Sequence, residues 1–574
     1  MTDPASPSAP QNAPLSAPLP TAEDVDPDDI PVADGAFGGE LLSALDPMLL
    51  ASSLSRTITP GGLMRAVTNL AQKAPGLLQG LDDQPLPPKD WRFSDSTWTD
   101  NPVYKRWALA YLAWEKEMMD LVDNDQVDWR TRERSRLVMG VLTSAIAPTN
   151  SLPGNPAAIK AAFTTGGRSL WNGGANFLRD LVTNRGLPAQ VDDRAFVVGR
   201  DVAASPGWVV HRTPMFELIQ FTPDTPTVAA TPLMLLPPAV NKYYFWDLAP
   251  GRSLVEYAVS RGIQVFTMVW RDPRPENGTW GIDNYLASAV EALDVVCDIT
   301  GQPAAHVFGD CSGGMFLAML LGYQAATGRH TAATGTFGVT VFDFGEPGGI
   351  GIAASDEGLA GVSKRAERGE VISADSISDT FVWMRPNDLV WRYLVDDWLL
   401  GKQPPAFDIM FWNADGQGLP SQLAAELTQM SLENALVKPG GMTILGESIT
   451  LSEVTIDTYQ IAGMSDHISP WKGCYAGARA LAGQNTFVLT PTGHVQSIIY
   501  PPDKPRASFW TNPHVGPNPD EWHAAATRHQ GSWWGHWVDW MLARTSGTRP
   551  APPAAGNATH PPIAPAPGRY VLGE

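Results

Sequence analysis

The sequence predicts an α/β fold: a mostly parallel sheet covered by helices on both faces, preceded by a mostly helical N-terminal domain. Three observations carry this expectation. After about residue 205, short apolar runs alternate with helical segments, the order that builds parallel sheets from strand–helix–strand units. One such run ends in a Gly-x-Cys-x-Gly element at 309–313 and passes straight into a helical segment. Before residue 205 the apolar spacing is that of helices rather than strands.

Taken in order, residues 1–35 are rich in Pro, Ala and Ser and end in the acidic cluster Glu23, Asp24, Asp26, Asp28 and Asp29. Such a composition buries too little apolar area to offset the entropy of ordering, so a disordered tail is expected. Residues 36–204 read as the helical N-terminal domain. Pro102 suits a first helical position, and Trp107, Tyr111, Trp114, Met118 and Leu121 follow at steps of four and three, one helix face expected to pack as core. Residues 205–548 read as the α/β domain, with strands expected at 215–221, 231–236, 264–270, 305–309, 337–344, 455–463 and 485–490. Between the third and fourth, Ile282, Tyr285, Leu286, Ala289, Leu293 and Val296 mark the apolar face of a helix. Residues 345–440 break the alternation and read as an insertion rich in Trp and loops. The chain closes in a Pro-rich tail, 549–574.

The 574 residues include 60 acidic and 40 basic side chains, a formal net charge of −20. No nucleic-acid partner is expected, because binding one takes a basic face that neutralises phosphates. Three cysteines, Cys297, Cys311 and Cys474, make no disulfide framework and suit a reducing cytoplasm. No basic-then-apolar leader opens the sequence, and the densest apolar stretch, 315–326, is too short to span a bilayer. A cytoplasmic chain without a transmembrane segment is expected. No Cys/His cluster has zinc spacing and no Walker A motif occurs, so neither a metal site nor a bound cofactor is expected.

The Gly-x-Cys-x-Gly element selects the chemistry. A nucleophile on a sharp strand-to-helix turn needs small residues two positions to either side, so that the helix can pack close to the strand. Only Cys311 is flanked in this way, by Gly309 and Gly313; centring the motif on Ser312 would put Asp310 where a glycine is required. The following helix offers N–H groups and a positive dipole end to a thiolate and an oxyanion. A thiol nucleophile needs a base, and the base an orienting acid. In the α/β-hydrolase fold that such an elbow implies, both lie on loops after late strands, in the order nucleophile, acid, histidine. Asp466 follows the strand 455–463, and His494 follows the strand 485–490. The expected catalytic residues are therefore Cys311, Asp466 and His494. His467, next to the acid, is a rival base, disfavoured because the histidine belongs after the last strand. His523, His529 and His536 fall among Trp522, Trp533, Trp534 and Trp537 and read as interfacial or packing residues, and Cys297, on the apolar face of 282–296, reads as core. An insertion between nucleophile and acid commonly forms a lid in this fold, which is how 345–440 is read.

With further segments these motifs resemble the poly(3-hydroxyalkanoate) synthases, bacterial enzymes that polymerise 3-hydroxyacyl-CoA into storage polyester. The similar stretches are 148–181, 236–248, the box at 309–314, 385–413, 464–471, Gly493-His494, 531–537 and 565–571. The resemblance implies a triad at the same Cys311, Asp466 and His494. It implies acylation of the thiol with release of CoA, then attack of a 3-hydroxyl on a Cys-bound acyl group to form the ester. It further implies the single-subunit, short-chain (3-hydroxybutyryl) type, a homodimer when active, with the growing polyester and the granule surface as partners in the cytoplasm. No cofactor is implied beyond the CoA of the substrate. Backbone N–H groups of Ser312, and of Ala239 and Val240 in the 237–240 turn, are the expected oxyanion donors. Two other readings stay open: a polyester depolymerase or acyl-CoA thioesterase using the same triad, and a non-catalytic granule-coating protein. One residue departs from the family pattern. The position before the nucleophile is usually aromatic there, and here it is Asp310. An unpaired carboxylate beside the thiol would raise the thiol pKa, so Asp310 is expected to turn away or to be paired.

Overall fold

The computed structural model describes residues 47–80, 84–345 and 355–574, so the expected tail 1–35 lies outside the described residues. The N-terminal region is helical, as its periodicity indicates: α1 Pro47–Thr57, α2 Pro60–Gln79, α3 Pro102–Val122, α4 Trp129–Ala145, α5 Pro156–Thr164 and α6 Arg168–Thr183. Three of these helices begin alike. Thr59, Asn101 and Asn155 cap α2, α3 and α5 by accepting an early helical N–H, each with Pro in the first turn, where no partner for its missing N–H is needed.

The stripe on α3 is core only in part. Tyr111 and Leu121 are buried, Trp114 and Met118 half-buried, and Trp107 is exposed. The local core of Leu86, Phe93, Trp98, Ala108, Tyr111 and Ala147 is small, and Trp107 stacks on Tyr104 at its rim.

One eleven-stranded sheet forms the rest of the scaffold. Its strands are β1 Gly207–Arg212, β2 Phe216–Phe221, β3 Leu233–Leu236, β4 Val265–Trp270, β5 Ala305–Asp310, β6 Ala332–Gly338, β7 Thr458–Gly463, β8 Asn485–Thr490, β9 Ser508–Thr511, β10 Thr527–Gln530 and β11 Ala564–Pro565. Across the sheet they run β10-β9-β8-β7-β6-β5-β3-β4-β2-β1-β11. The central strands from β8 to β4 pair in parallel, while the strands beyond them on both sides are antiparallel. This parallel centre, wound by β3-to-β8 crossovers, is the α/β-hydrolase fold. Helices α7 Ile282–Thr300 and α8 Cys311–Thr327 pack on it, and all six residues assigned to the apolar face of α7 are buried. Cys297, expected as core, is half-buried at the edge of that face.

Two expectations need correction. The strand placed at 337–344 is instead β6, Ala332–Gly338; Val339 takes φ +40°, outside the β region, and ends it. Val341, Phe342 and Phe344 are buried beyond the strand end, so the apolar run there is core without being sheet. The Pro-rich end also belongs to the fold: β11 closes one sheet edge, and Glu217 accepts hydrogen bonds from the backbone N–H of Arg569 and Tyr570 at 3.0 Å each. Between β6 and β7 the chain leaves the sheet for the helices Asp356–Glu367, Ala374–Met384, Asp408–Ala414 and Ser421–Glu433, with a π-wound stretch over 387–399. No described helix is long and apolar enough to cross a membrane.

Candidate active site

Register brings the expected residues to one edge of the sheet. Asp310, the last residue of β5, pairs with Gly338 of β6; Ile461 of β7 pairs with Gly338, and Gly463 of β7 pairs with Thr490 of β8. Cys311, Asp466 and His494 follow these aligned carboxyl ends by one, three and four residues, which is where ligand sites gather in open α/β sheets.

Cys311 occupies the turn itself. Its φ of +46° is rare for a residue with a side chain and marks a strained position held by its surroundings. A Cβ at Gly309 would lie 2.4 Å from the Gly313 carbonyl oxygen, so the strand and the helix can approach this closely only with glycine there. Cys311 opens α8, beside the N–H groups that the first helical turn leaves without intrahelical partners.

The acid and base are already joined. His494 Nδ1 lies 2.7 Å from Asp466 Oδ2, and both side chains are buried. Asp466 Oδ1 accepts from the backbone N–H of Ile468 (2.9 Å) and Ser469 (2.8 Å), which fixes the carboxylate. The His494 loop is braced by Ser497, whose hydroxyl donates to Gly493 O at 2.6 Å and lies 2.8 Å from Thr490 Oγ1. His494 Nε2 is buried without a well-formed hydrogen bond. Yet Cys311 and His494 interact: the imidazole lowers the thiol pKa and the thiol side raises the imidazole's. Such contacts are often loose in free enzymes and tighten with substrate. Burial alone would lower the His494 pKa, but Asp466 and Cys311 outweigh it and hold it well above the ordinary value. Burial pushes the Cys311 thiol up, so the resting nucleophile is a thiol. The rival His467 is half-buried on the Asp466 loop. His536 lies 2.8 Å from the Tyr459 hydroxyl and His529 stacks on Phe509, packing roles as expected.

Asp310 is paired only in part, by a backbone N–H and by its attraction to His494. Its carboxyl is buried, and Oδ1 has no hydrogen-bond partner. Burial pushes its pKa well above the ordinary value, against His494, and so favours the neutral acid; where Asp310 ionises it raises the Cys311 thiol pKa. The consequence for stability has a definite sign. Unfolded, the carboxyl ionises near 3.8; folded, it keeps its proton, so rising pH above that value favours the unfolded chain until the folded pKa is passed. Asp310→Asn should therefore raise Tm at neutral pH, by a margin that shrinks towards about pH 4. The variant should also leave the pH profile of Cys311 alkylation in place. A lower thiol pKa in the Asn variant would show that Asp310 is ionised in the native protein.

Sequence reasoning missed the clamp over the turn after β3. Gln417 Nε2 donates to Ala239 O at 2.8 Å and Gln417 N to Val240 O at 3.3 Å; Asp415 receives Lys242 at 2.5 Å and the Tyr244 hydroxyl at 2.7 Å. Asp415 and Gln417 lie just past the end of the helix Asp408–Ala414, and no local signal distinguishes them. In the same turn the Ala239 N–H donates to Ser312 Oγ at 3.1 Å.

A family model described as the poly-beta-hydroxybutyrate polymerase (PhaC) N-terminus matches residues 89–258. Poly(3-hydroxyalkanoate) polymerase 2 of Ectopseudomonas oleovorans is 41% identical over 495 residues, covering 86% of this chain and 88% of that protein. The chain belongs to the poly(3-hydroxyalkanoate) polymerase family. The polymerase subunit PhaC of Cupriavidus necator is 37% identical over 505 residues, 86% of this chain and 85% of its own. The polymerase of Methylorubrum extorquens is 32% identical over 567 residues, 94% of this chain and 93% of its own. Among solved structures, a monoglyceride lipase variant from Saccharomyces cerevisiae covers 60% of this chain and 96% of its own, with 10% identity and a TM-score of 0.34. The polymerase N-terminal model spans both the last helices before residue 204 and the sheet through β2 and β3.

Proposed function

We propose that this chain polymerises (R)-3-hydroxyacyl-CoA, 3-hydroxybutyryl-CoA foremost, into polyester through an acyl thioester on Cys311. Membership of the polymerase family supports the reaction. The observation that carries the mechanism is the buried Asp466–His494 pair beside a thiol seated on the strand-to-helix turn.

His494 Nε2 takes the Cys311 proton as the sulfur attacks the thioester carbonyl. The oxyanion forms next to the first turn of α8, where the Ser312 N–H is the nearest donor, and the turn after β3 supplies a second. Since the Ala239 N–H is engaged by Ser312 Oγ, Val240 is the better candidate there, and Ala239 joins only if that hydroxyl rotates away. The intermediate collapses, the imidazolium returns its proton to the leaving CoA thiolate, and an acyl-enzyme remains. His494 next takes the proton of a 3-hydroxyl, whose oxygen attacks a Cys-bound acyl carbon; the C–S bond breaks, the ester forms and the thiol is reprotonated. Asp466 keeps the imidazole oriented and stabilises its charged form. The reaction calls for no cofactor beyond the CoA that the substrate brings.

Cys311 is only 1% exposed, so substrate must enter by displacing part of its cover. The insertion 345–440 acts as the lid, with Gln417 and Asp415 holding it over the turn after β3. Closed, it keeps water from the acyl-enzyme. The enzyme works in the cytoplasm as a homodimer attached to the granule it makes.

What distinguishes a polymerase from a thioesterase is the group that attacks the acyl-enzyme. Given 3-hydroxybutyryl-CoA, the purified protein should release CoA while acyl groups enter a sedimentable polyester and little free acid forms. Butyryl-CoA, which lacks the 3-hydroxyl, should acylate the enzyme once and stall. Sustained turnover of butyryl-CoA, or free acid equal to the CoA released, would make water the acceptor and the chain a hydrolase.

A further inference from the structure

Asp310 ends β5 directly before Cys311, and its carboxyl is buried with Oδ1 unpartnered. Strand pairing fixes where the side chain starts. Across the sheet Asp310 faces Gly338 of β6, where a Cβ would lie 3.1 Å from Asp310 Cβ, 3.1 Å from Phe308 Cε2 and 2.6 Å from Ile498 Cδ1. The carboxyl therefore sets out between an aromatic ring of its own strand and the last residue of the short helix His494–Ile498. Both of these neighbours are apolar and offer it no partner. It lies close enough to the catalytic residues to be drawn by His494 and to act on the Cys311 thiol. His494 Nε2, also buried, lacks a well-formed hydrogen bond as well. Two buried polar atoms without partners thus adjoin one thiol. Such atoms are costly to leave unpaired, and a pair kept beside a nucleophile calls for a ligand group that completes both.

Chemistry narrows what that group is. Nε2 of a neutral imidazole accepts a hydrogen bond, while a carboxyl in the acid form, which burial favours here, donates one. The completing group must therefore donate to one atom and accept from the other. A hydroxyl does both: its single hydrogen points to Nε2, and a lone pair receives the O–H of the acid. The substrate carries such a hydroxyl two carbons from the carbonyl that Cys311 attacks. It stays near the sulfur, and the Cα atoms of Asp310 and Cys311 are only about 3.8 Å apart. A carboxylate at this place would compete with His494 for the hydroxyl hydrogen, whereas the acid leaves that hydrogen to the base. An unsubstituted acyl chain brings nothing for either atom and leaves the buried carboxyl unpaired.

Resting on the polymerase reading above, we propose that Asp310 binds the 3-hydroxyl of the acyl group at Cys311 and so selects 3-hydroxyacyl over unsubstituted acyl thioesters. The test is the rate at which full-length protein is first acylated by (R)-3-hydroxybutyryl-CoA and by butyryl-CoA, followed as the first equivalent of CoA released and as adduct mass. The wild type should prefer the hydroxy substrate by at least about tenfold. Asp310→Leu, similar in shape but without a polar atom, should remove most of that preference, with the loss falling on the hydroxy substrate. Asp310→Asn, whose amide can still donate, should keep most of it. A merely structural role would lower both rates alike and would give no selective rescue by Asn. Asp310→Ala deletes the carboxyl without adding bulk and has the same expected outcome as Leu, so a Leu chain that fails to fold leaves the test standing. Equal losses on the two substrates, or an unchanged ratio in the Leu and Ala variants, overturn the proposal. So does a wild-type protein that both thioesters acylate equally fast. An Ala variant that keeps the ratio but stops hydrolysing the butyryl adduct would assign the two atoms to a water, and overturns it too. If neither thioester acylates the wild-type Cys311, the polymerase reading itself fails, and this proposal with it.

Discussion

Cys311→Ala should release no CoA from 3-hydroxybutyryl-CoA above the protein-free background, while Cys297→Ala and Cys474→Ala keep most of the wild-type rate. The three thiols differ in what surrounds them. Cys311 sits at a helix N-terminus with His494 beside it, a group that both accepts its proton and favours its thiolate. Cys297 has neither: it lies at the C-terminal end of α7, and burial and Asp294 push its thiol up to about 11. Cys474 lies near the triad, but its thiol donates to Ser469 O at 3.5 Å, and burial followed by Asp466 and Cys311 pushes its pKa well up. Of the three, Cys311 alone combines a helix N-terminus with an adjacent imidazole base. Cys311→Ser should be severely impaired as well, since its hydroxyl is a weaker nucleophile and its oxoester a poorer acyl donor to the next hydroxyl. Thiol titration of released CoA, with intact-protein mass to detect the acyl adduct, checks each variant. Retained activity in Cys311→Ala would sink the assignment of the nucleophile, and loss in Cys474→Ala would bring the second thiol into the mechanism.

Features of the sequence that act locally were legible. The glycine spacing around Cys311 could be read because a tight strand-to-helix approach excludes a Cβ, a constraint that leaves its mark within five residues. Asp466 and His494 could be read because each lies within four residues of an apolar strand end. Strands β2, β4 and β5, buried along their whole length, and β8, buried over its second half, show as short runs rich in apolar residues. Strand β6 slipped because Ala332-Ala333-Thr334-Gly335-Thr336 has a turn-like composition; its small residues answer to tertiary packing, with Gly335 directly under Leu321. The outer antiparallel strands β1, β9, β10 and β11 leave no mark in the sequence because they are short and only partly buried, without a continuous apolar run. Asp310 was misjudged for a different reason. A carboxyl in sequence reads as a charge, and only the depth at which β5 ends shows that it is held as an acid. The clamp of Gln417 on the turn after β3 joins residues about 180 apart, beyond the reach of any local pattern.

His494→Gln should lower the rate of CoA release by at least about 10²-fold, with Asp466→Asn close behind it, in the range general-base removal produces. The two variants should differ in how they fail. Gln cannot accept the Cys311 proton at any pH, so the residual rate should follow only the thiol's own ionisation. In Asp466→Asn the base survives, but it loses the carboxylate 2.7 Å from Nδ1 that raises its pKa. The active form is the neutral imidazole, so in the wild type activity rises with pH through a His494 pKa lying above the ordinary 6.5. With Asp466 neutralised, burial, which lowers the pKa, acts with less opposition, and this acidic limb should move to lower pH even as the plateau falls. Stability moves in the opposite sense. A histidine whose folded pKa is raised stabilises the fold fully below its unfolded value and loses that contribution as pH climbs through the folded one. The wild-type advantage over Asp466→Asn in Tm should therefore be largest at mildly acid pH and narrow above it. The His467→Gln variant completes the measurement. Its pH–rate profile should keep the wild-type limb, because the contact with Asp466 and the influence on Cys311 both belong to His494. If His467→Gln instead proved as damaging as His494→Gln, or if Asp466→Asn left the acidic limb where it was, the base and its orienting acid would have to be reassigned.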